Sequence, residues 1–484
     1  MIHIKSSPLL LVFISLVPWF AGCQTYNDQR SGVTDALRLG DFETAKEIVG
    51  KRASNANEKD KLLWLLEQGA ITRLTGDLEG STFALDQAEG LVNSFEEQAK
   101  VKVGSETQAI LTNQASLPYR GKEYEKIMMN TMKAANFMSS GDYGRARVEF
   151  NRTYQRQQNA LEFNKKRIVK DREAIEAAKQ GELELNGRSA KYDAEAAMED
   201  PSVSVKTQQI LSEVEERLST SQAFADYVNP FAVFLEGVFF MNASLVQNDA
   251  ERALKNFQRL TSMCTNPFVG QDLKLAESLV NGENITPVTY VIFETGFAPS
   301  LEEFRIDIPL FVVGSNLPYI GAALPRLVYN DEFVKELTAS TSTGEEYMSA
   351  LLADMDHIVS KEFQNAWPSI LNKTLISSGV KGAIAYALQK SVKDESLGVQ
   401  IAVGITVAAI QAETTKADLR TWASLPKQYQ YTRFPTPADG FVNLSVGSQN
   451  EAVFVEPNKT NVIIVRSVNP SIEHTITKFD LSYE

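Results

Sequence analysis

The chain has 484 residues, 43% of them hydrophobic, 23% charged and 9% aromatic, with 27 Gly and 17 Pro, proportions that exclude disordered, collagen-like and polytopic membrane classes. A balance of 48 Lys and Arg against 61 Asp and Glu leaves a net charge of −13, a field that repels nucleic acid and other polyanions. Two Cys and three His leave few ligands for metal or thiol chemistry, so no metal or other cofactor is expected, and the length predicts about three domains.

Lys5 followed by the apolar run at 9–17 has the charged start and apolar middle of a secretory signal, and the run is too short to span a bilayer. The next residues, Phe20-Ala21-Gly22-Cys23, resemble a bacterial lipobox, with Phe20 where Leu is usual. Small residues at Ala21 and Gly22 admit the peptidase, and the Cys23 thiol takes the lipid. The alternative is an ordinary signal peptide with a cysteine near its cleavage region. The lipobox reading makes 1–22 a signal peptide and Cys23 a lipidated N-terminus, leaving 462 residues. Gln24 in place of Asp implies sorting to the outer membrane, facing the periplasm. With Cys23 acylated, Cys264 has no disulfide partner and reads as a small buried hydrophobe.

Residues 23–283 read as an all-α, tetratricopeptide-like repeat domain. Four segments share one spacing: Gly40-Asp41-Phe42 with Ala45 and Val49, Gly76-Asp77-Leu78 with Ser81 and Leu85, Gly141-Asp142-Tyr143 with Ala146 and Phe150, and Asn248-Asp249-Ala250 with Ala253 and Phe257. Seven residues before each turn stand Val33, Gly69, Ala134 and Met241. Gly or Asn ends one helix in the left-handed conformation, Asp caps the next, and the apolar residue nine positions on packs back against the first helix. Turn spacings of 36, 65 and 107 residues are near one, two and three times the roughly 34 residues of that repeat. Generic helix hairpins are the alternative.

Residues 102–120 read as an irregular link. In the polar insertion at 151–220, Tyr154, Leu161, Ile168 and Ile175 recur every seven residues, while Gln157, Asn164 and Asp171 make the other half of the seam polar. One apolar stripe is too narrow for a coiled-coil dimer, so a long solvated helix leaning on its own domain is predicted, broken at Gly187. A partner-binding helix is the alternative.

Residues 284–415 read as strands plus buried apolar helices. Thr289-Tyr290-Val291-Ile292-Phe293 is a strand, and Phe304, Ile306, Ile308 and Leu310 alternate in a second, which Pro309 places at an edge. Leu317-Pro318 and Leu324-Pro325 bracket a connection. From Gly344 to Thr415 helix is predicted. The stretch 364–393 carries Lys373, Lys381, Lys390 and Lys393 without an acid, but these lysines do not share one helix face. The 15 uncharged residues at 397–411 are fewer than the roughly 20 needed to span a bilayer and read as a central core helix, with Gly398 and Gly404 packing closely on the helix that contains Gly379 and Gly382; membrane insertion is the alternative. Residues 416–484 read as a small antiparallel β domain of five short strands. The fold class is α+β, a helical-repeat domain followed by a mixed helical and antiparallel β domain. At the junction, Trp422 is expected to pack the strands onto the helix ending near Gln411, or to stand exposed as a partner anchor.

The stretch Lys416-Ala417-Asp418-Leu419-Arg420-Thr421-Trp422-Ala423-Ser424-Leu425-Pro426, with Gly296-Phe297-Ala298-Pro299 and Gly141-Asp142-Tyr143, resembles a family of tetratricopeptide-like bacterial lipoproteins. Members are often encoded beside a lipoprotein that activates penicillin-binding proteins, which implies a place in cell-wall upkeep. No catalytic residues are assigned in that family, so the resemblance supplies none.

HExxH, CxxC, Walker and GxSxG motifs are absent from the sequence. Asp354-Met355-Asp356-His357 reads as a solvated acidic helix face rather than a metal site, and His474 as a surface residue. Ser378-Gly379-Val380-Lys381 has SxxK spacing, in which a lysine one turn away activates a serine, but the SxN and KTG elements that complete such a site are missing. The expected function is a non-catalytic, lipid-anchored envelope scaffold that binds a partner protein on the concave face of its repeats. An envelope serine hydrolase using Ser378 and Lys381 is the alternative.

Overall fold

The computed structural model describes residues 26–101, 110–185, 187–220, 228–243, 248–311, 319–414 and 416–481; the lipobox and Cys23 lie outside them. Helices α1 (Tyr26–Arg38) and α2 (Phe42–Asn55), α3 (Glu58–Leu74) and α4 (Leu78–Val101), and α5 (Glu123–Ser139) and α6 (Tyr143–Gln180) form three successive hairpins. A fourth joins α9 (Pro230–Asn242) to α10 (Asp249–Thr261), followed by α11 (Val269–Val280).

The first three turns share one chemistry. Gly40, Gly76 and Gly141 take φ of +75°, +77° and +74°, where a side chain would be strained. At Asp41 and Asp142 the carboxylate then accepts from Thr44 N (3.0 Å) and Arg145 N (2.9 Å), satisfying an orphan donor of the new helix. Asp77 does the same for Gly80 N at 2.8 Å. The fourth turn differs: Asn248 is right-handed at φ −81° and its side chain makes no cap. Asp249 instead pairs through both oxygens with Arg147 of the neighbouring hairpin.

Ala45, Ser81, Ala146 and Ala253 are completely buried where the helices cross, as are Val49, Leu85, Phe150 and Phe257 one turn further on. At Gly69 a Cβ would stand 2.4 Å from Leu85 Cδ2, and Ser81 Oγ donates to Gly69 O at 2.7 Å, so this crossing tolerates no side chain at residue 69.

The 38-residue α6 leans on α12 (Met355–Ser391) as well as on its own hairpin: Ser369 and Lys373 both bind Asp171. Its seven-residue stripe faces outward. Tyr154, Leu161 and Ile168 are exposed while Gln157 and Asn164 are buried, and only Ile175 of the stripe is covered. After a small hairpin, β1 (Leu183–Leu185) and β2 (Arg188–Ala190) around Gly187 at φ +74°, come α7 (Ala194–Glu199) and α8 (Pro201–Thr220).

Two sheets form the C-terminal sandwich. The order of the first is β13 (Thr475–Leu481), β12 (Thr460–Ser467), β3 (Val288–Thr295), β9 (Gln428–Pro435), β8 (Ala350–Asp354). The order of the second is β11 (Gln449–Phe454), β10 (Phe441–Val446), β6 (Leu337–Thr341), β7 (Glu346–Met348). Val291, Phe293, Leu337, Phe434, Val442, Leu444 and Ile463 are packed in one core shared by the two sheets. β3 is buried on both faces and pairs parallel with β12 and antiparallel with β9. Strands on either side of residue 415 therefore share both sheets, so the expected boundary between 284–415 and 416–484 does not divide the molecule. The reason is that β3 is apolar on both faces and needs two neighbours, which only the later strands supply.

Other expectations are corrected here. Helix does not begin at Gly344: β7 and β8 precede α12. Leu324-Pro325 lies inside β5 (Tyr319–Val328), which pairs with β4 (Ser300–Pro309) in a separate two-stranded ribbon where a proline leaves no ladder partner wanting. Helix α13 (Leu397–Thr414) is a surface helix, not a core one: Leu397, Val399, Ile401 and Ile405 are exposed and only Val407 is buried among its described side chains. Gly398 and Gly404 face open space, whereas Gly379 meets the Tyr192 ring and Gly382 meets Leu310 and Ile320. No described helix is long and apolar enough to cross a membrane.

Candidate functional site

The first helices of the later hairpins, α3, α5 and α9, are buried over most of their surface, unlike α1, which buries only Tyr26, Val33, Ala36 and Leu37. Every residue from 124 to 138 of α5 and from 230 to 241 of α9 is buried, whereas α2 buries only Ala45, Val49 and Ala53. A helix buried on every side has neighbours on two faces. One neighbour is its own hairpin partner; the other is the C-terminal half of this chain.

Residues 416–427 run along that inner face as a segment without helix or strand, turning at Ala423-Ser424 and held by charged groups. Arg420 donates to the carbonyls of Lys59 (2.9 Å), Leu117 (2.7 Å) and Gln114 (2.8 Å), and pairs with Asp60 (3.3 Å) and Asp418 (2.7 Å). Thr421 Oγ1 meets Tyr124 Oη at 2.9 Å and Lys122 Nζ at 3.2 Å. Trp422 N donates to Glu125 Oε1 at 2.9 Å and Ala423 N to Glu67 Oε1 at 3.2 Å. Glu67 also accepts from Tyr26 and Arg30, so α1, α3 and α5 all hold the segment through one pair of buried carboxylates. Burial and the neighbouring carboxylate push the hydroxyls of Tyr26 and Tyr119 up, keeping them neutral donors.

The sheet fills the rest of the inner face. Phe231 stacks on Tyr429 with centroids 4.0 Å apart, and Phe234 lies against Tyr431 at 4.2 Å. Asp272 of α11 accepts from Tyr290, Tyr431 and Arg433, each at 2.9 Å, while Arg73 of α3 bridges to Glu294 of β3 at 3.0 Å. Burial drives the Asp272 carboxyl up to about 6, with Arg433 opposing it. Asp356, bound to Lys427 and 3.5 Å from Arg217, is pushed to about 6 by the same cause.

This arrangement relocates several predicted residues. The concave face expected to receive a partner is covered by residues 416–434 of the same chain. Trp422 is fully buried, its indole donating to Ser424 at 3.1 Å; its backbone is bound to α5, not to the helix ending near Gln411, and the exposed-anchor role is excluded. Asp354, Asp356 and His357 are buried at the start of α12, where Asp354 caps Asp356 N at 2.8 Å, so they form no solvated acidic face. The His474 ring is nearly covered, against Gln449 and Glu451. Cys264 is buried, and burial raises its thiol. Ser378 and Lys381 are both buried inside α12, where no acyl substrate reaches the hydroxyl.

Among the described residues no group of three His, Cys, Asp or Glu could hold a metal ion. A cleft of about 570 Å³ opens between α8 and the β4–β5 ribbon, lined by Glu213, Arg217, Glu302, Arg326 and Asp331. Its arginines already pair with acids of the lining, Arg326 with Glu302 and Glu213 and Arg217 with Asp331, and Glu216 lines it as well.

Sequence reasoning missed the carboxylates that hold the junction. The available signal was a lone acid inside an apolar helix, as Glu67 stands in Leu62-Leu63-Trp64-Leu65-Leu66-Glu67 and Glu236 in Phe234-Leu235-Glu236-Gly237-Val238. Such a group is retained in a core only with partners, and Glu236 has Arg252 at 2.6 Å.

The class of molecule is thus a set of helical hairpins wrapped on a β sandwich and sealed by residues 416–427. No protein-family model matches the chain, and no curated protein matches it in sequence. Among solved structures, a tetratricopeptide repeat protein from Parabacteroides merdae aligns at 15% identity and a TM-score of 0.14, over 53% of this chain and 100% of that one.

Proposed function

We propose that this chain is a non-catalytic scaffold of the bacterial envelope, tethered to the outer membrane by lipid on Cys23 and facing the periplasm. Cell-wall upkeep is the process that the resemblance of 416–426, 296–299 and 141–143 implies. Helical-repeat arrays commonly act by presenting surface to protein partners. With the inner face occupied by the chain itself, the outward stripe Tyr154, Leu161 and Ile168 on α6 is an exposed apolar surface of the repeat domain that can meet a partner. The observation that carries the scaffold reading over the hydrolase one is the burial of both Ser378 and Lys381.

Two readouts test it in cells. Wild-type protein should incorporate an alkyne fatty acid and resist extraction from membranes by alkaline carbonate, and Cys23→Ser should lose both; acyl labelling that survives the substitution refutes the tether. A photo-crosslinker at Leu161 should give a discrete adduct that Ile168→Asp abolishes while the protein stays folded. An adduct indifferent to that change refutes the α6 contact.

A further inference from the structure

After residue 27, the two longest stretches without Asp, Glu, Lys or Arg are 308–325, with 18 residues, and 396–412, with 17. They are 70 residues apart in sequence, yet the described residues 319–325 of the first meet the second in the fold. α13 packs on α12 and on β5, and Gly382 of α12 sits directly against Leu310 and Ile320 at the far end of the β4–β5 ribbon. Val403 and Val407 turn inward to Ala385, Leu388 and Leu185. Among its described side chains, the large ones on the other side of the helix face solvent: Leu397 is 69% exposed, Ile401 41% and Ile405 47%. At that end of the ribbon Phe311, whose ring meets Tyr192, is 44% exposed, and Tyr319, which hydrogen-bonds Asp200, is 52% exposed.

We propose that this joint surface of α13 and the Phe311/Tyr319 end of the ribbon is a membrane-contact face that lies flat in the interfacial zone of a lipid bilayer. Three observations select lipid over a second copy or a protein partner. First, the half-exposed side chains amount to on the order of 500 Å², large enough to mark an interaction patch but short of the roughly 800 Å² per partner of a stable dimer. Second, the patch offers little that a protein could recognise. Gln400 is committed to Glu395 O at 2.8 Å and Thr406 to Ala402 O at 3.1 Å, whereas protein interfaces carry about one hydrogen bond per 100–200 Å². A lipid interior asks for none. Third, the edge has the composition of a membrane boundary: Tyr319 and the 37%-exposed Tyr386 are amphipathic aromatics, and exposed Lys390 in the last turn of α12 is followed by exposed Lys393, Asp394 and Glu395 in the link to α13, which remain in water while the helix lies down.

The position of the chain's start adds an orientation, and this part alone rests on the lipid tether proposed above. Asn27 Nδ2 donates to Leu301 O at 2.7 Å, fixing the start of α1 at the near end of the ribbon. Cys23 stands three positions before Tyr26 in the sequence, and ten residues of strand separate the two ends of the ribbon by roughly 33 Å. Two attachments, acyl chains at one end and α13 at the other, would lay the ribbon parallel to the membrane.

The test uses the chain from residue 23 onward with Cys23→Ser, so that no acyl chain contributes, and vesicles of phosphatidylethanolamine and phosphatidylglycerol at 3:1. The protein should float with the vesicles, and Ile401→Asp with Ile405→Asp should reduce flotation at least tenfold while circular dichroism and melting stay unchanged, since both positions are exposed. Failure of the parent protein to float, or equal flotation of the double variant, overturns the proposal. So does a dimer in sedimentation that the double variant dissociates without any vesicle binding, which would assign the patch to a second copy. Because acylation is absent throughout, these outcomes are independent of the fatty-acid labelling that tests the tether.

Discussion

Arg420 is the strongest single point at which to break the junction. Its guanidinium is almost fully covered and makes bonds to three backbone carbonyls in addition to Asp60 and Asp418. Arg420→Ala removes every one of these and leaves Asp60, itself buried, with only Lys59 at 3.7 Å. Breaking a buried ion pair from one side costs about 3–5 kcal/mol. Hydrogen bonds to a charged donor are worth about 1.5–3 kcal/mol each when intact, but the vacated site admits water to the stranded carbonyls, so about 4 kcal/mol is the working figure. Arg420→Lys keeps the charge but loses the planar fork that serves Gln114, Leu117 and Asp418 together, and about half the cost should remain. Urea unfolding gives the total. Hydrogen exchange at the amides of Trp422 and Ala423, which donate to Glu125 and Glu67, localises it: both should exchange on the order of 10²–10³ times faster in Arg420→Ala. A loss of stability below about 1 kcal/mol, or unchanged protection of these two amides, would refute the view that this segment seals the helices to the sandwich.

Ala146→Arg places a long cation in a fully buried helix crossing and should cost several kcal/mol; a normal melting temperature would contradict the crossing at Gly141. In Gly379→Ala the new Cβ would lie 2.2–2.4 Å from ring atoms of Tyr192, whose hydroxyl is held by Pro309 O at 2.7 Å, so a loss of about 1–3 kcal/mol is expected in denaturant titration. Trp422→Ala should cost about 3–5 kcal/mol by emptying a fully buried site, and a wild-type urea midpoint would argue against its packing role. Asp272 and Asp356 titrate near 6 in the folded protein against an ordinary 3.8, so the native state holds more protons between those values. Their contribution to stability is therefore full below pH 3.8 and lost as pH rises through 6. Asp356→Asn should make the fall in unfolding free energy from pH 4 to pH 6 shallower, and an unchanged slope counts against the shifted carboxyl.

The sequence by itself determined the local rules. Gly followed by Asp is enough to end one helix and start the next, because left-handed backbone and a side-chain cap are properties of those residues wherever they stand; Gly40, Gly76 and Gly141 obey them. The β-branched and aromatic run at 289–293 was legible as a strand for the same reason. What lay beyond local reading were choices between long-range partners. Nothing near Arg420 in sequence reveals that Asp60 and the carbonyl of Lys59 will receive it 360 residues away. The alternation of Asn248-Asp249 resembles the other turns, yet Arg147 from another hairpin draws Asp249 into an ion pair instead. Composition also misled at 397–411, where an uncharged helix reads as core although its outer face meets solvent. Hydrophobicity records what a segment can bury; only the tertiary structure decides which surface it is given, because burial depends on how many neighbouring elements the rest of the chain brings to that place.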